Sequence, residues 1–202
     1  MKRIGVLISG RGTNLQALID AQARGTLGGE IVVVLSNKSK AFGLERAQKA
    51  GIPIEIMTKK AYPNREDFDK KVEQILKDYN VDLIVLAGYM RILSDMFIRT
   101  FRNRIINVHP SILPSFKGIK AQHQAIEHGV KVSGCSTHFV TEDMDDGPLI
   151  LQKAVPVFNE DTGETLAQRI LPEEHKILVK SVQLYCTDRL EIDGRRVIIK
   201  EE

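Results

Sequence analysis

The sequence has no tryptophan, few aromatic residues (5%) and only two cysteines among its 202 residues. Two cysteines cannot form a disulfide framework, and because Cys135 and Cys186 both lie in apolar stretches, we predict buried and unreactive thiols. No apolar run approaches the length of a membrane span, and no leader with a small-residue cleavage site precedes the first strand pattern. These absences predict a cytoplasmic protein without a membrane partner.

Charge of one sign is also scarce, because 29 basic and 26 acidic residues leave a net charge of only +3. The basic residues are dispersed and are not interleaved with aromatic ones, so the sequence predicts no nucleic-acid partner. A small positive excess fits a pocket for anionic small molecules. The length and the 43% hydrophobic content suit one large globular domain.

Strand and helix patterns alternate in the first half of the chain. Apolar runs predict strands at 4–8, 31–35, 52–57, 81–87 and 104–108, and helical spacing predicts helices at 14–24, 41–50 and 65–79. Such β-α alternation is typical of a parallel sheet with right-handed crossovers. We therefore predict an α/β fold: a single domain with a mainly parallel, twisted sheet flanked by helices, of the Rossmann-like kind.

The pattern changes after residue 110. A helix is predicted at 119–128, strands at 131–140 and 149–157, and a long helix at 165–185 that Pro172 could kink or reset. The turn pair Asp193-Gly194 lies between two short apolar runs and predicts a C-terminal β-hairpin. No internal repeat, low-complexity tract or linker separates the two halves.

Asn107 and His109 are the most informative residues. They end an apolar strand pattern, and because side chains alternate along a strand, both are predicted to project to the same side. Open α/β sheets keep their ligands at the carboxyl ends of their strands. A neutral amide beside an imidazole suits the stabilisation of an oxyanion on a carbonyl under attack.

The loop after the first strand contains Gly10, Gly12, Thr13 and Asn14 and leads directly into a helix pattern. Glycines permit a tight turn, and the free N–H groups of a helix start attract an anion. The loop is neither a P-loop nor a dinucleotide fingerprint, because Leu15 stands where the third glycine of the fingerprint belongs. A phosphate monoester fits best, and a capped structural turn is the alternative.

Asp145 and Asp146 lie in a second candidate loop, before a Gly-Pro turn signal. Taken alone, the pair is more often a solvated acidic turn. A carboxylate close to His109 would instead favour the imidazolium form and could accept a proton. His138, on the strand leading into this loop, suits either a supporting role or local hydrogen bonding. We predict no metal site, because no cluster has trustworthy ligand spacing.

Taken together, these motifs resemble the phosphoribosylglycinamide formyltransferases, also called glycinamide ribonucleotide transformylases. The resemblance covers nearly the whole chain, and five motifs in this order are highly specific. The first motif comprises residues 5–10 and 12–16, and the other four comprise 86–93, 107–111, 138–140 with Asp145 and Gly147, and 174–175.

The resemblance implies formyl transfer from 10-formyltetrahydrofolate to the amine of glycinamide ribonucleotide in purine synthesis. It implies a catalytic trio of Asn107, His109 and Asp145, with His138 in support. It assigns the acceptor to Gly12, Thr13, Asn14 and Glu174. It assigns the folate to Arg65, Met90, Arg91, Ile92, Leu93, Asn107, Thr141, Glu142, Asp143, Met144 and Asp145, with both arginines meeting the glutamate tail. Residues 1–105 would then bind the phosphate, and residues 106–202 would hold the catalytic and folate-binding groups.

Two positions depart from the family pattern. Lys117 stands where many relatives have proline, which predicts a more mobile loop, and Asp146 stands where glycine or alanine is common. Neither departure removes a member of the trio. Whether residues 115–130 act as a lid stays open, as does the choice between monomer and homodimer.

Three alternatives remain open. A methionyl-tRNA formyltransferase has a second domain, for which this chain lacks the length. A formyltetrahydrofolate hydrolase usually has an extra N-terminal domain and needs neither the phosphate loop nor Glu174. A non-catalytic nucleotide-binding module would bind a ligand without turnover, which the complete trio argues against.

Overall fold

The structure is a computed structural model that describes residues 1–201. They form two compact units, Met1–Ile106 and a second that begins at Asn107. The strands are β1 (Lys2–Ile8), β2 (Gly29–Ser36), β3 (Ile54–Ile56), β4 (Leu83–Leu86), β5 (Ile105–His109), β6 (Val132–Phe139), β7 (Leu149–Pro156), β8 (Leu190–Asp193) and β9 (Arg196–Ile199). The helices are α1 (Thr13–Ala23), α2 (Phe42–Lys49), α3 (Arg65–Asp78), α4 (Asp95–Thr100), α5 (Ala121–Glu127) and α6 (Gly163–Cys186).

Seven strands form one sheet in the order β3-β2-β1-β4-β5-β6-β7, and β8 and β9 form a separate hairpin. In the first unit β1 pairs in parallel with β2 and β4, and β2 pairs in parallel with β3. In the second unit β6 and β7 are antiparallel, as are β8 and β9. The predicted α/β class, the mainly parallel sheet and the C-terminal hairpin are confirmed.

The core follows from the apolar runs. Residues 31–35 of β2 are all buried, which explains why this strand is continuous in apolar residues rather than alternating. In α1, Leu15, Leu18 and Ile19 are buried on one face. Helix α6 begins at a capping box formed by Thr162 and Thr165, two residues before the predicted start, and is continuous through Pro172. Pro172 therefore does not end or reset the helix.

Helix α4 was not predicted. It has only six residues, and its start is marked by Ser94, whose side chain accepts a hydrogen bond from the backbone of Phe97. So short a segment carries too little periodicity to stand out from a loop. No helix among residues 1–201 is long and apolar enough to cross a membrane.

Candidate active site

The carboxyl end of β5 carries the two residues singled out from the sequence. Ile106 and Val108 are buried and occupy the alternate positions, while Asn107 is half-buried and His109 is only 5% exposed. Burial matters here because an imidazole held away from water is sensitive to every neighbouring dipole and charge. The site can therefore be built outward from His109.

Both ring nitrogens of His109 face a defined partner. Nε2 lies 2.8 Å from the carbonyl oxygen of Phe116, and Nδ1 lies 3.4 Å from Oδ2 of Asp145. A carbonyl can only accept, so Nε2 carries a proton and donates it. Nδ1 is then the nitrogen that gains or loses a proton beside the carboxylate.

Asp145 is held from several sides. Its Oδ2 accepts a hydrogen bond of 2.9 Å from the backbone N–H of Gly118, and its Oδ1 lies 3.6 Å from Nε2 of His138. Burial raises the pKa of Asp145, but the hydrogen bonds from His138 and Gly118 and the charges of the two histidines outweigh it, so the pKa lies below its usual value. The carboxylate is therefore ionised at neutral pH.

His138 connects this carboxylate to Asn107. Its Nδ1 lies 2.9 Å from the carbonyl oxygen of Phe139, so Nδ1 carries the proton and donates it. In the neutral ring Nε2 can accept from Nδ2 of Asn107 at 3.3 Å, whereas a protonated Nε2 donates to Oδ1 of Asp145 instead. The contact with Asn107 engages one N–H of the amide and leaves the other available for a substrate oxygen.

The protonation of His109 differs from the sequence-based expectation. Asp145 does raise the pKa of His109, as does the Phe116 carbonyl, but burial is the largest influence and lowers it, with His138 lowering it further. The net pKa of His109 therefore lies below its ordinary value. Asp145 raises this pKa as expected, but in the ligand-free molecule burial more than offsets it.

The acidic loop reaches the site through close backbone packing. Asp145 has a positive φ of 51°, and a Cβ added to Gly147 would lie 1.7 Å from the carbonyl oxygen of Phe139. Only glycine permits that approach to the end of β6. The loop therefore folds back along β6 and brings Asp145 level with His138.

A buried hydroxyl fixes the chain that follows β5. The side chain of Ser136 donates to the carbonyl of Ser111 at 2.7 Å and accepts from the N–H of Leu113 at 3.0 Å. Gln152 donates to the same hydroxyl at 2.9 Å. This network holds residues 111–113 against β6. It therefore fixes the first part of the backbone that runs from His109 to Phe116.

In the first unit, the predicted phosphate loop leads into α1. Gly12 has a φ of 70°, and a Cβ at this position would lie 2.6 Å from Cα of Gly43, so glycine is required for packing alone. Helix α1 begins at Thr13 without a side-chain cap and without an acidic residue in its first turn. That start fits an anion, although binding itself stays a prediction.

The loop of residues 88–94, which contains the predicted folate residues Met90, Arg91, Ile92 and Leu93, is anchored from two directions. Ser9 accepts a hydrogen bond of 2.7 Å from the N–H of Met90 and donates one of 2.6 Å to Asn37. Arg65 of α3 donates to the carbonyl of Leu93. Met90 and Ile92 are 71% and 62% exposed, which leaves apolar surface on this loop.

Asp69 of α3 is the strongest anchor of the same loop. It is 2% exposed, and its Oδ2 accepts a buried hydrogen bond of 2.7 Å from the N–H of Ser94. Its Oδ1 lies 3.9 Å from Nε of Arg91, whose guanidinium covers the ring of Phe68 at 3.8 Å. Asp69 was not predicted as a site residue, although an acidic residue on the apolar face of α3 was the available signal.

Asp69→Ala should lower the free energy of unfolding by about 3 kcal/mol, because it leaves the buried N–H of Ser94 without its acceptor and the largely buried guanidinium of Arg91 without its counter-ion. Urea unfolding followed by circular dichroism measures this loss. The matched control is Asp67→Ala, since Asp67 is exposed two residues away, and its effect should stay within about 1 kcal/mol. Equal losses in the two variants would mean that Asp69 is not an anchor.

The other predicted residues are placed as follows. Thr141, Glu142, Asp143 and Met144 form the start of the acidic loop, where Met144 is 53% exposed. Glu174 is buried on α6. Cys135 and Cys186 are buried and free, as predicted, and burial and the nearby charge of Glu174 raise the pKa of Cys135 to about 12.

The backbone groups of Phe116 and Gly118 are the contacts that the sequence could not reveal, since a carbonyl and an amide leave no residue signature. Among residues 1–201 no group of three or more His, Cys, Asp or Glu side chains could hold a metal ion. The site instead consists of an amide, two imidazoles and a carboxylate.

Comparison with known proteins places this chain in a family. The model of the formyl transferase family matches residues 2–182. The phosphoribosylglycinamide formyltransferase of Escherichia coli is 41% identical over 201 residues, which cover 96% of this chain and 95% of that one. The crystal structure of glycinamide ribonucleotide transformylase 1 from Symbiobacterium toebii has a TM-score of 0.98 and 52% identity, and the match covers all of this chain and 95% of that one.

Two other similar proteins are longer than this chain, which matches only part of each. The human trifunctional purine biosynthetic protein adenosine-3 is 45% identical over 202 residues, but the match covers 99% of this chain and only 20% of that protein. A formyltetrahydrofolate deformylase from Pseudomonas syringae has a TM-score of 0.93 at 28% identity, and the match covers 99% of this chain and 66% of that one. The resemblance found in the sequence motifs is confirmed, and the chain belongs to the formyl transferase family.

Proposed function

We propose that the protein transfers the formyl group of 10-formyltetrahydrofolate to the amine of N1-(5-phospho-D-ribosyl)glycinamide. The products are the N2-formyl compound and tetrahydrofolate, and the reaction is a step of de novo purine (IMP) biosynthesis. The observation that carries the proposal is the cluster of Asn107, His109 and Asp145, linked by His138, in a chain that matches phosphoribosylglycinamide formyltransferases over almost their whole length.

The cluster suits the charges of this reaction. When the amine nitrogen attacks the formyl carbon, negative charge develops on the formyl oxygen. The N–H of Asn107 that His138 does not engage can donate to this oxygen, and such a donor typically contributes about 100- to 1,000-fold in rate. His109 adds positive charge when it is protonated.

The low pKa of His109 in the ligand-free protein is compatible with this role. Asp145 and the Phe116 carbonyl both raise the pKa of His109 against burial, and a developing oxyanion nearby would raise it further. The imidazolium is therefore favoured most where the charge appears. Electrostatic stabilisation that grows toward the transition state accelerates the chemical step.

The atoms balance without a covalent enzyme intermediate. A carbon–nitrogen bond forms between the amine and the formyl carbon, and the bond between that carbon and N10 of the folate breaks. The attacking amine loses one proton, and the departing N10 gains one. We propose that Asp145 assists the first transfer, directly or through water.

The acceptor is assigned to the first loop and α6. The start of α1, which has no side-chain cap, would direct its first N–H groups to the phosphate of the acceptor, and the hydroxyl of Thr13 lies at the same end of the helix. The buried carboxylate of Glu174 would contact the ribose. Gly12 and Asn14 complete the acceptor site.

Thr13→Val should raise the KM for the acceptor about tenfold and leave the KM for the folate unchanged, because it removes one hydroxyl without changing the shape. Steady-state kinetics with each substrate varied in turn measures the difference. Thr100→Val is the control, since the hydroxyl of Thr100 contacts only the carbonyl of Met96 in its own helix. Gly12 is unsuitable for this test, because any side chain there would strain its packing against Gly43.

The folate is assigned to the loop of residues 88–94 and to the acidic loop. Exposed Met90 and Ile92 would contact its apolar rings, with Leu93 behind them. Thr141, Glu142, Asp143 and Met144 would contribute from the acidic loop. Arg65 and Arg91 would meet the glutamate tail, although the guanidinium of Arg91 lies against Phe68 in the ligand-free protein.

An assay with 10-formyltetrahydrofolate, with and without the acceptor, tests the function. Tetrahydrofolate released only when the acceptor is present supports the transferase. Release without the acceptor would identify a hydrolase, and tight binding without any release would identify a binding module. The predictions of a cytoplasmic location, of no metal or nucleic-acid partner, and of a monomer or homodimer stay predictions.

A further inference from the structure

An ion-pair cluster lies beside the catalytic carboxylate. Lys117 contacts Oδ1 of Asp146, and Arg195, in the turn between β8 and β9, contacts Oδ2 at 2.8 Å. Arg195 also donates to the backbone carbonyl of Asp146 at 3.1 Å. We call these three residues the Asp146 cluster. Its two cations come from separate parts of the second unit and meet on one carboxylate.

The backbone on either side of Lys117 contacts both catalytic groups. The carbonyl of Phe116 accepts from His109, and the N–H of Gly118 donates to Asp145. The side chain of Lys117 contacts the residue that follows Asp145. A three-residue segment, 116–118, is therefore bound to the active site by its backbone and to the Asp146 cluster by its one charged side chain.

This segment needs external contacts to keep its conformation. Phe116 has a φ of 55°, a region that residues with a side chain rarely adopt. Local strain of this kind persists only where surrounding contacts determine the backbone. Gln124 supplies one such contact by donating to the carbonyls of Lys117 and Ile119 at 3.2 and 2.9 Å. The Asp146 cluster supplies another.

We propose that Lys117 and Arg195, acting through Asp146, are positioning residues for the reaction: they hold segment 116–118 where its backbone hydrogen-bonds to His109 and Asp145. The two residues at which the sequence departs from the family pattern, Lys117 and Asp146, are thus partners. The inference rests on the proposed function for its kinetic effects, but its effect on His109 can be measured without turnover.

The cluster remains charged over the working range of pH. Hydrogen bonds from Arg195 and Lys117 lower the pKa of Asp146 to about 2. The three side chains are partly exposed, and exposed ion pairs are individually weak, so two pairs on one carboxylate should together change kcat by about three- to tenfold. The effect is therefore expected to be smaller than the loss of a catalytic group.

The groups around His109 determine whether breaking the Asp146 cluster raises or lowers the pKa of His109. His109 faces the Asp145 carboxylate and the Phe116 carbonyl, which raise its pKa, and His138, which lowers it. A less well held Phe116 carbonyl stabilises the imidazolium less. Breaking the Asp146 cluster should therefore lower the pKa of His109, and the high-pH limb of the kcat profile should move to lower pH.

The experiment compares the full-length wild type with Lys117→Met, Arg195→Met and Lys117→Arg. Lys176→Met is the matched control, because Lys176 forms an exposed pair with Glu173 on the surface of α6. The measurements are kcat, both KM values, the NMR titration of His109, and kcat as NaCl rises from about 0.1 to about 1 M, where the Debye length falls from about 10 to about 3 Å. Thermal unfolding checks that each variant is folded.

In Lys117→Met and Arg195→Met we expect a lower His109 pKa, a kcat reduced about three- to tenfold with smaller changes in KM, and a weaker dependence of kcat on salt than in the wild type. Lys117→Arg keeps the positive charge and should retain the wild-type His109 pKa, kcat and salt dependence of kcat. Lys176→Met should also resemble the wild type. Folded Lys117→Met and Arg195→Met variants with a wild-type His109 titration would overturn the proposal. A wild type that titrates as described but transfers no formyl group would contradict only the proposed function.

Discussion

We expect His109→Ala and Asn107→Ala each to lower turnover at least about 100-fold while the fold survives. His109 is one of two groups that can respond to charge on the formyl oxygen, and its partners Phe116 and Asp145 are arranged around it within 3.4 Å. Asn107 contributes the second group, with one amide N–H engaged by His138. Steady-state kinetics at saturating concentrations of both substrates measures the losses.

The control for this pair is His123→Ala, since His123 is a half-exposed histidine that contacts Glu164 away from the cluster. Its turnover should remain within about twofold of the wild type. Circular dichroism and thermal unfolding establish that each variant is folded. Near-normal turnover in a folded His109→Ala or Asn107→Ala protein would remove that residue from the catalytic trio.

Asp145→Asn should cause a comparably large loss, together with a change in pH dependence. The substitution keeps the shape of the side chain but removes the charge that raises the pKa of His109 against burial. The pKa of His109, already lowered in the wild type, should fall further, so the imidazolium is lost at lower pH. The high-pH limb of the activity profile should therefore move to lower pH, and turnover at neutral pH should fall sharply.

Asp146→Asn is the comparison for that measurement, because it makes the same chemical change one residue away. Asp146 contacts Lys117 and Arg195 rather than His109, so turnover should stay within about tenfold of the wild type. The NMR titration of His109 in both variants distinguishes the two carboxylates. An unchanged His109 pKa in Asp145→Asn combined with a lower one in Asp146→Asn would show that the wrong carboxylate was assigned.

The sequence predicted the elements whose signal is local. The buried run in β2 and the amphipathic spacing of α3 are periodic over enough residues to define their type. Helix α4 has six residues and was missed, while Pro172 suggested a reset of α6, although the helix is continuous there. Short elements and single proline positions depend on the surrounding structure more than on their own residues.

The site also has some features with a local sequence signal and others that depend on tertiary packing. The pairing of Asn107 with His109 follows from a two-residue period, which the sequence shows directly. The 3.4 Å approach of Asp145 depends on how the acidic loop packs along β6, and no spacing in the sequence encodes it. The direction of the His109 pKa depends on burial, and the contacts of Phe116 and Gly118 are made by backbone atoms. These features exist only after folding.

The two shielded sulfur atoms make the protein convenient for attaching dyes. Cys135 is fully buried with a pKa of about 12, and Cys186 is 8% exposed, so neither offers an accessible thiolate to a maleimide at neutral pH. A cysteine introduced at an exposed position such as Ile119 or Met90 would therefore react alone, and neither native cysteine would need to be replaced. Single-molecule fluorescence could then follow either loop in an otherwise unaltered chain.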